Sequence, residues 1–342
     1  MSRKMTLAAA TLLSLGTAIP AVAQDDVPTL GLAAIDLQNS FFVRMREAGD
    51  VAAEEYGVNA TWQSAEGSLE NQVGIIENFI NQGVDAILID PLDKNAVIPV
   101  IKQATDAGIP VITMGNKVEA GENYGTLYPD YENMSMVARA LATAMGGEGK
   151  VGLLVGARGN FVSDTREAGF TETMAEEFPG IEIVGIEPTN WDAATAANAA
   201  QTWLTANPDL AGIACISDSM CLGADSVAAA MGADLLYGGH DGDAEMVELL
   251  DSGKMVIDVL TGAYRVGYWN IAVAARLAKG EEMPLDLFMP TYFITSDDTA
   301  AMLAEAGLEI DYLTPSVAQE AAMGYSEQLG PDLPTSAMTA GE

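Results

Sequence analysis

The sequence predicts an α/β fold in which parallel sheets carry helices on both faces. Short runs rich in Val, Ile and Leu alternate with longer amphipathic segments along most of the 342 residues. This alternation is typical of βαβ units, whose strands pair in parallel. Strand runs such as Ala86, Ile87, Leu88 and Ile89 are apolar at every position, as expected when both faces of a sheet are buried. The length favours two domains.

The predicted strands share a short apolar or β-branched run that precedes an amphipathic segment. In chain order they are residues 29–35, 59–63, 86–90, 111–114, 151–155, 182–186, 212–216, 234–238 and 256–260. The predicted helices have apolar residues at helical spacing. In chain order they are residues 42–56, 69–82, 94–107, 134–145, 164–177, 193–206, 220–231, 244–252, 266–279, 296–307 and 316–325.

The first 23 residues predict a secretion signal that is removed after Ala23. Arg3 and Lys4 form a basic start, residues 7–19 are apolar, and Ala21 to Ala23 match an A-x-A cleavage site. No cysteine follows the cleavage site directly, and no later apolar run reaches the length of a membrane span, so we expect a soluble periplasmic chain. Export argues against most cytoplasmic enzymes and DNA-binding regulators.

The charge of the chain excludes further partners. Asp and Glu number 49 against 15 Lys and Arg, which gives a net charge of −34 at pH 7. A chain this acidic repels nucleic acid and anionic lipid, so no nucleic-acid partner is expected. The acidic residues are scattered through helices, as on a solvated surface.

Catalytic and cofactor motifs are missing from the sequence. Leu37 to Ser40 follow the first predicted strand, where a dinucleotide site would need glycines, and no Walker motif occurs. His240 is the only histidine, which argues against zinc chemistry. No G-x-S-x-G elbow supplies a nucleophile. We therefore expect no cofactor, no metal and no catalytic residue.

Side chains suited to a sugar or polyol cluster at the predicted strand ends. Ligands of open parallel sheets bind beyond the carboxyl ends of the strands. Amides, carboxylates and a guanidinium there can bind vicinal hydroxyls at two points, and aromatic rings pack against the C–H faces of a sugar. The candidate binding residues are Asn39, Phe41, Phe42, Asp90, Asn116, Arg166, Trp191, Ser217, Asp241 and Thr261. Trp62 and Tyr128 are further candidates for pocket walls.

An ordered set of motifs from about Leu30 to Thr295 resembles the ribose-binding-protein family, the type I periplasmic sugar-binding proteins of ABC importers. The motifs are Gln38-Asn39-Ser40-Phe41-Phe42-Val43, Ile89-Asp90-Pro91-Leu92-Asp93, Gly108-Ile109-Pro110-Val111-Ile112-Thr113, Arg166 with Gly169 and Phe170, and His240-Asp241-Gly242. The resemblance implies two similar doubly wound parallel-sheet domains, joined by a hinge of three crossings near Pro129, Thr261 and Pro290, that close on a sugar.

The domain bounds follow from these crossings. They are 24–129 with 262–290 for the N-terminal lobe, 130–261 with 291–328 for the C-terminal lobe, and 329–342 for a flexible tail.

The resemblance also assigns roles to the candidate residues. Asn39, Phe41 and Phe42 match the asparagine and stacking phenylalanines of the first domain. In the second domain, Arg166 matches the arginine on the sugar oxygens, Trp191 the opposing aromatic and Asp241 the carboxylate after its strand. Ser217 and Thr261 stand where the family often has amides.

One departure from the family concerns the segment Met114-Gly115-Asn116. It stands where ribose and galactose binders commonly have an Asp-Arg pair. A site built around a hydroxyl–carboxylate contact discriminates strongly between ligands, so the loss of that pair argues against ribose itself.

The function that these features predict is capture of a monosaccharide or sugar alcohol by a monomeric receptor that delivers it to an ABC permease. One alternative is a secreted carbohydrate-active enzyme with Asp90 and Asp241 as paired carboxylates. Another is the ligand-binding component of a chemoreceptor or sensor, with a non-sugar ligand.

The sequence allows two interpretations of Cys215 and Cys221. They form a disulfide, or they are two small buried residues.

Overall fold

The computed structural model describes residues 27–323. The signal predicted at 1–23, the tail predicted at 329–342 and the end of the last predicted helix lie outside the described residues. No helix among residues 27–323 is long and apolar enough to cross a membrane.

The strands and helices alternate as the sequence predicts. The strands are β1 Thr29–Ala34, β2 Asn59–Ser64, β3 Ala86–Ile89, β4 Val111–Met114, β5 Tyr124–Leu127, β6 Gly149–Val155, β7 Ile181–Pro188, β8 Leu210–Cys215, β9 Leu236–Gly238, β10 Met255–Leu260, β11 Asp286–Phe288, β12 Tyr292–Ile294 and β13 Tyr312–Leu313. The helices are α1 Ser40–Tyr56, α2 Leu69–Gln82, α3 Ile98–Asp106, α4 Asp130–Ala144, α5 Phe161–Glu177, α6 Ala193–Ala206, α7 Asp218–Met231, α8 Val247–Asp251, α9 Ala263–Ala278, α10 Asp297–Glu305 and α11 Pro315–Met323. A 3₁₀ turn, Ala244–Met246, precedes α8.

The strands form two sheets, which confirms the predicted α/β fold with two parallel-sheet domains. The first sheet has the order β11-β5-β4-β3-β1-β2, and we call it with α1, α2, α3 and α9 the first lobe. The second sheet has the order β13-β12-β10-β9-β8-β6-β7, and we call it with α4 to α8 and α10 the second lobe. The chain passes between the sheets after β5, after β10 and after β11.

The second sheet differs from a purely parallel one. Strand β12 pairs antiparallel with β10, through Asp258 opposite Ile294. Four strands, β5, β11, β12 and β13, are not predicted from the sequence. They are two to four residues long, too short to show a hydrophobic period.

Helix α3 begins at Ile98, later than the predicted residue 94. The Asp93 side chain accepts hydrogen bonds from the backbone N–H groups of Asn95 and Ala96. The backbone N–H of Lys94 donates to Gly159 in the second lobe. These bonds hold residues 94–97 in turns. The helix that the apolar spacing predicts therefore begins only at Ile98. Helix α4, in contrast, begins four residues earlier than predicted, at Asp130.

Helix α9 returns to the first lobe and fixes α1 there. A Cβ atom at Gly267 would overlap the carbonyl oxygen of Met45, so only glycine permits this approach. Val266, Tyr268 and Ile271 of α9 are buried in the core that α1 shares with the sheet. The tight packing holds the N-terminal end of α1 at the edge of the sheet that faces the second lobe.

Candidate ligand-binding site

A cavity lies between the two lobes, at the carboxyl ends of the strands. The first lobe lines it with Ile35, Asn39, Phe41, Phe42, Met45, Asp90, Met114, Gly115, Asn116, Tyr128 and Val266. The second lobe lines it with Asn160, Val162, Arg166, Trp191, Ser217 and Asp241. This is the position at which open parallel sheets bind small molecules.

The start of α1 brings two aromatic rings and an amide to the cavity. Asn39 is the N-cap of this helix, and its Oδ1 accepts a hydrogen bond of 2.9 Å from the backbone N–H of Phe41. The rings of Phe41 and Phe42 meet edge to face, with centroids 5.7 Å apart. Because capping uses the oxygen of Asn39, its amide nitrogen is the atom left for a ligand.

Asp90 and Asn116 form a polar pair at the ends of β3 and β4. Asn116 is 1% exposed, and its Nδ2 donates to Asp90 Oδ1 at 3.1 Å and to the carbonyl of Met114 at 2.8 Å. Burial raises the pKa of Asp90 to about 7, although the Asn116 hydrogen bond and the Arg166 charge oppose the rise. Asp90 therefore titrates near neutral pH.

Arg166 projects from α5 and is held from three sides. Its Nε donates to Asp130 Oδ1 at 2.7 Å, and its Nη1 donates to the carbonyl of Ile216 at 2.7 Å and to Asp241 Oδ1 at 3.3 Å. Burial alone would lower the pKa of Arg166, but the charges of Asp130 and Asp241 raise it. The guanidinium stays charged, and its Nη2 has no acceptor among the described residues.

Asp241 lies opposite Arg166, three residues after the end of β9. Its φ of 131° is unusual for a residue with a side chain, and backbone bonds to Val259 and Gly262 hold it there. Burial would raise the pKa of Asp241, but a hydrogen bond from His240 and the charge of Arg166 lower it. Burial lowers the pKa of His240, so that the imidazole is neutral near pH 7.

Trp191 closes the cavity from the second lobe. Its φ is 66°, and its indole lies where a Cβ atom at Gly156 would be, so glycine at the end of β6 makes room for the ring. The backbone N–H of Trp191 donates to Thr189 Oγ1 at 3.2 Å, which fixes the turn. The strained turn thus presents the aromatic side chain to the cavity.

Ser217 lies between two cysteines that are joined in a disulfide. Cys215 ends β8, Cys221 lies in the first turns of α7, and their Cα atoms are 5.6 Å apart. Ser217 contributes a hydrogen bond to Asp241. The short bridged loop therefore fixes the serine beside the carboxylate.

Direct polar contacts join the lobes on both sides of the cavity. On one side, Arg44 of α1 bonds to Asp243 at 2.8 Å and to Glu245 at 2.5 Å. On the other, Lys94 bonds to Asp164 at 2.9 Å. Beside that pair, Asn160 Nδ2 donates to the carbonyl oxygen of Pro91 at 2.8 Å. The lobes are in direct contact across the cavity in this structure.

Nine of the ten candidate residues line this one cavity. The exception is Thr261, which is 1% exposed and lies behind the wall, where its carbonyl accepts a hydrogen bond from Arg265. Tyr128 forms part of the wall, as expected, but Trp62 does not. The indole of Trp62 packs on Gly49 and donates to Asp50 at 3.0 Å, on the outside of the lobe.

Two polar residues of the site, Asn160 and Asp130, lie outside the set of candidates that the sequence predicts. Asn160 caps α5 through a bond from the backbone N–H of Ser163, a role that its position before an amphipathic segment signals. Asp130 holds Arg166 from α4, and nothing in its sequence context points to that pairing. Among residues 27–323, no group of three or more His, Cys, Asp or Glu side chains is arranged to hold a metal ion.

Comparison with known proteins places this architecture in a family. The family model described as "Periplasmic binding protein domain" matches residues 30–282. The ribose import binding protein RbsB of Escherichia coli strain K12 is 27% identical over 293 residues, which span 84% of this chain and 97% of that protein. The xylitol-binding protein of Mycolicibacterium smegmatis is 28% identical over 283 residues, which span 81% of this chain and 79% of that protein.

A solved structure has the same fold. It is a periplasmic solute-binding protein of an ABC transporter from Actinobacillus succinogenes with bound D-allose. The TM-score is 0.73 and the identity is 28%, with 80% of this chain and 99% of that chain covered. The match over residues 30–282, together with two parallel sheets that enclose a cavity, confirms the resemblance seen in the sequence. The chain belongs to the periplasmic binding protein domain family.

Proposed function

We propose that the protein is a periplasmic solute-binding protein that captures a monosaccharide or sugar alcohol between its lobes and delivers it to an ABC permease. The observation that carries this proposal is the cavity between the lobes, which combines aromatic walls with charged and amide groups from both sheets. Such a site binds a small polar molecule without a nucleophile or a metal.

The chemistry of the wall suits a ring with several hydroxyls. Each hydroxyl both donates and accepts, so it needs acceptors such as Asp90 and Asp241 and donors such as Arg166. The rings of Phe41 and Trp191 offer apolar surfaces for the C–H faces of the same ligand.

The relatives favour the same class of ligand. They are named for ribose and xylitol, and the solved structure holds D-allose. Met114-Gly115-Asn116 replaces the Asp-Arg pair that ribose and galactose binders commonly have, so we infer a ligand other than ribose.

Binding without turnover agrees better with the carboxylates than hydrolysis does. A glycosidase needs one carboxyl to protonate the leaving group and another to face the sugar as a base or nucleophile. Asp241 is engaged by Arg166, His240 and Ser217, and Asp90 by Asn116. The relatives named above are binding proteins, and we infer that this chain is one too.

Capture by hinge closure follows from the topology. The chain passes between the sheets three times, and these crossings form the hinge that we infer. The polar contacts of Arg44 and Lys94 then belong to the closed form. The export signal, the monomeric state, the permease and a chemoreceptor partner stay predictions from the sequence.

A ligand screen tests the proposal. Purified protein without its signal is melted in the presence of pentoses, hexoses, hexitols and inositols, and the hits are titrated calorimetrically. We expect one or a few compounds to raise Tm by several degrees, with no product formed on long incubation. If no sugar or polyol changes Tm, the carbohydrate function is wrong. If the compound that binds is hydrolysed or altered, the enzyme alternative replaces it.

A further inference from the structure

We propose that the solute carries an amino group: the cavity takes an amino sugar or an aminocyclitol, whose ammonium is bound by Asp90 and Asn116 of the first lobe. This inference rests on the proposed function, because it names the kind of sugar or polyol that the same cavity takes. The charge of the wall, its hydrogen-bonding atoms and its aromatic rings each support it.

The first observation is an excess of acidic charge at the cavity. Arg166 is the only basic residue in its lining, which also contains Asp90 and Asp241. Arg166 already faces two carboxylates, Asp241 at 3.3 Å and the buried Asp130 at 2.7 Å, so its single positive charge is more than neutralised. When Asp90 is ionised, no further cation of the lining neutralises it. A ligand with one positive charge reduces this negative excess.

The basic residues at the rim do not supply that charge either. Arg44 is paired with Asp243 and Glu245, and Lys94 with Asp164. The protein as a whole carries a net charge of −34, so its field also attracts a cation toward the cleft. A neutral sugar gains nothing from this arrangement.

The second observation is that ionised Asp90 and Asn116 offer only acceptors to a ligand. Both N–H groups of the Asn116 amide are used within the protein, by Asp90 Oδ1 and by the carbonyl of Met114. Asn116 Oδ1 is buried and receives no hydrogen bond from the described residues. Asp90 Oδ2 has no donor there either. An ammonium has three N–H donors and no acceptor, whereas a hydroxyl also needs a donor from the protein.

The third observation is the aromatic surface of the first-lobe wall. Tyr128, Phe41 and Phe42 line the same cavity as Asp90. Aromatic faces attract a cation, and this attraction is stronger where water is excluded.

The opposite wall shows why the amine belongs to a polyol rather than to a simple alkylammonium. Arg166 Nη2 is a donor without an acceptor among residues 27–323, and Ser217 and Asp241 lie beside it. These groups need hydroxyls on the ligand. An amino group at one end and vicinal hydroxyls at the other match the two walls together.

Matched pairs of ligands test the inference. The wild-type protein is titrated at pH 7.5 with D-glucosamine and D-glucose, D-galactosamine and D-galactose, D-mannosamine and D-mannose, and 1-amino-1-deoxy-scyllo-inositol and scyllo-inositol. N-acetylglucosamine serves as a neutral analogue that keeps the nitrogen. We expect the best ligand to be an amine that binds about tenfold or more tightly than its neutral partner. Its affinity should also fall with ionic strength between about 0.02 and 0.5 M, while that of neutral ligands stays constant.

The variant Asp90→Asn removes the charge and keeps the shape. We expect it to reduce the preference for the amine to within about threefold, with little change for the neutral partner. Glu77→Gln, an exposed substitution on α2, removes one negative charge far from the cavity and should leave the preference unchanged. If Asp90→Asn fails to fold, the ionic-strength series on the wild type decides whether the protein binds its ligand as a cation.

The possible failures are distinguishable. If a neutral sugar or polyol binds as tightly as its amine or more so, the inference is wrong and the proposed function stands. If the amine preference survives in Asp90→Asn, the assignment to Asp90 is wrong. If no member of any pair binds but another sugar or polyol of the screen does, the inference is wrong and the proposed function stands. If nothing in either experiment binds, both fail.

Discussion

Arg44 of the first lobe and Asp243 of the second lobe form an ion pair of 2.8 Å across the opening of the cavity. Glu245 joins the same guanidinium at 2.5 Å. Desolvation at the closed interface would lower the pKa of Arg44, but the hydrogen bond to Glu245 and the charge of Asp243 raise it. The pair exists only while the lobes touch, so it contributes to the free energy of closure rather than to the stability of either lobe.

We expect Arg44→Ala to weaken ligand binding by about three- to tenfold, because the closed form that holds the ligand is populated less. Isothermal titration with the best ligand of the screen measures this change. Arg46→Ala is the matched control, because Arg46 lies on the same helix and, within the described part of the chain, pairs with Asp50 on the surface. Equal affinities of Arg44→Ala and Arg46→Ala would show that the ion pair does not stabilise closure.

Arg166 should separate binding from stability. Arg166→Lys keeps a positive charge for Asp130 and Asp241 but loses the planar fork, so we expect ligand affinity to fall by about a hundredfold while the protein stays folded. Arg166→Met leaves the buried carboxylates of Asp130 and Asp241 without their cation, and we expect a loss of about 3–5 kcal/mol in the free energy of unfolding. Urea denaturation and calorimetry measure the two effects.

Arg139→Lys is the surface control for this pair of substitutions, since Arg139 forms a bidentate pair with Glu177 at partly exposed positions. It should change neither the ligand affinity nor the free energy of unfolding appreciably. A stable Arg166→Met protein with unchanged affinity would rule out both roles of Arg166.

Most of the site could be predicted because strand ends are visible in the sequence. The apolar run Ala86 to Ile89 locates Asp90, and the run Val111 to Met114 locates Asn116 two residues further on. In a parallel sheet, those positions share one edge. Family resemblance added the roles of Phe41 and Phe42.

What could not be predicted depends on the path of the chain between strands. Thr261 follows β10, but Gly262 at φ 76° turns the chain away, so the threonine lies behind the wall. Asp130 meets Arg166 only because α4 packs on α5, a contact between helices that no local pattern encodes. The antiparallel β12 consists of three residues that favour strands, Tyr292 to Ile294, but it is too short to show a hydrophobic period, and only its pairing with β10 marks it as a strand.

The disulfide between Cys215 and Cys221 should stabilise the second lobe modestly. The bridge closes a loop with a sequence separation of 6, for which loop entropy gives about 2 kcal/mol. We expect the double variant Cys215→Ala/Cys221→Ala to lose about that much of the free energy of unfolding, and to bind its ligand more weakly because Ser217 is held less firmly. Urea titrations with and without dithiothreitol measure the change. The reductant should destabilise the wild type and leave the variant unaffected; an equal response of the two proteins would contradict the prediction.

Two buried carboxyl groups in the second lobe predict a stability that falls as pH rises. Asp218 and Asp258 are 0% exposed and contact each other, and Asp218 Oδ1 and Asp258 Oδ2 receive no hydrogen bond from N–H or O–H donors of the described residues. Burial raises the pKa of both well above the ordinary value, and the charges of Asp241 and Asp243 add to the effect. One proton shared by the pair satisfies both oxygens.

The sign of the pH effect follows from these raised pKa values. The stabilisation by the shared proton is fully present below the unfolded-state pKa of about 4 and is lost as pH rises through the raised pKa of the folded state. Asp258→Asn supplies an amide donor that needs no proton. We therefore expect Asp258→Asn to gain stability relative to the wild type between pH 5 and pH 9, as measured by urea unfolding at each pH. Asp251→Asn, at an exposed position, is the control, and its free energy of unfolding should depend on pH in the same way as that of the wild type. If the free energy of unfolding of Asp258→Asn also has the pH dependence of the wild type, the two carboxyl groups do not share a proton in the folded protein.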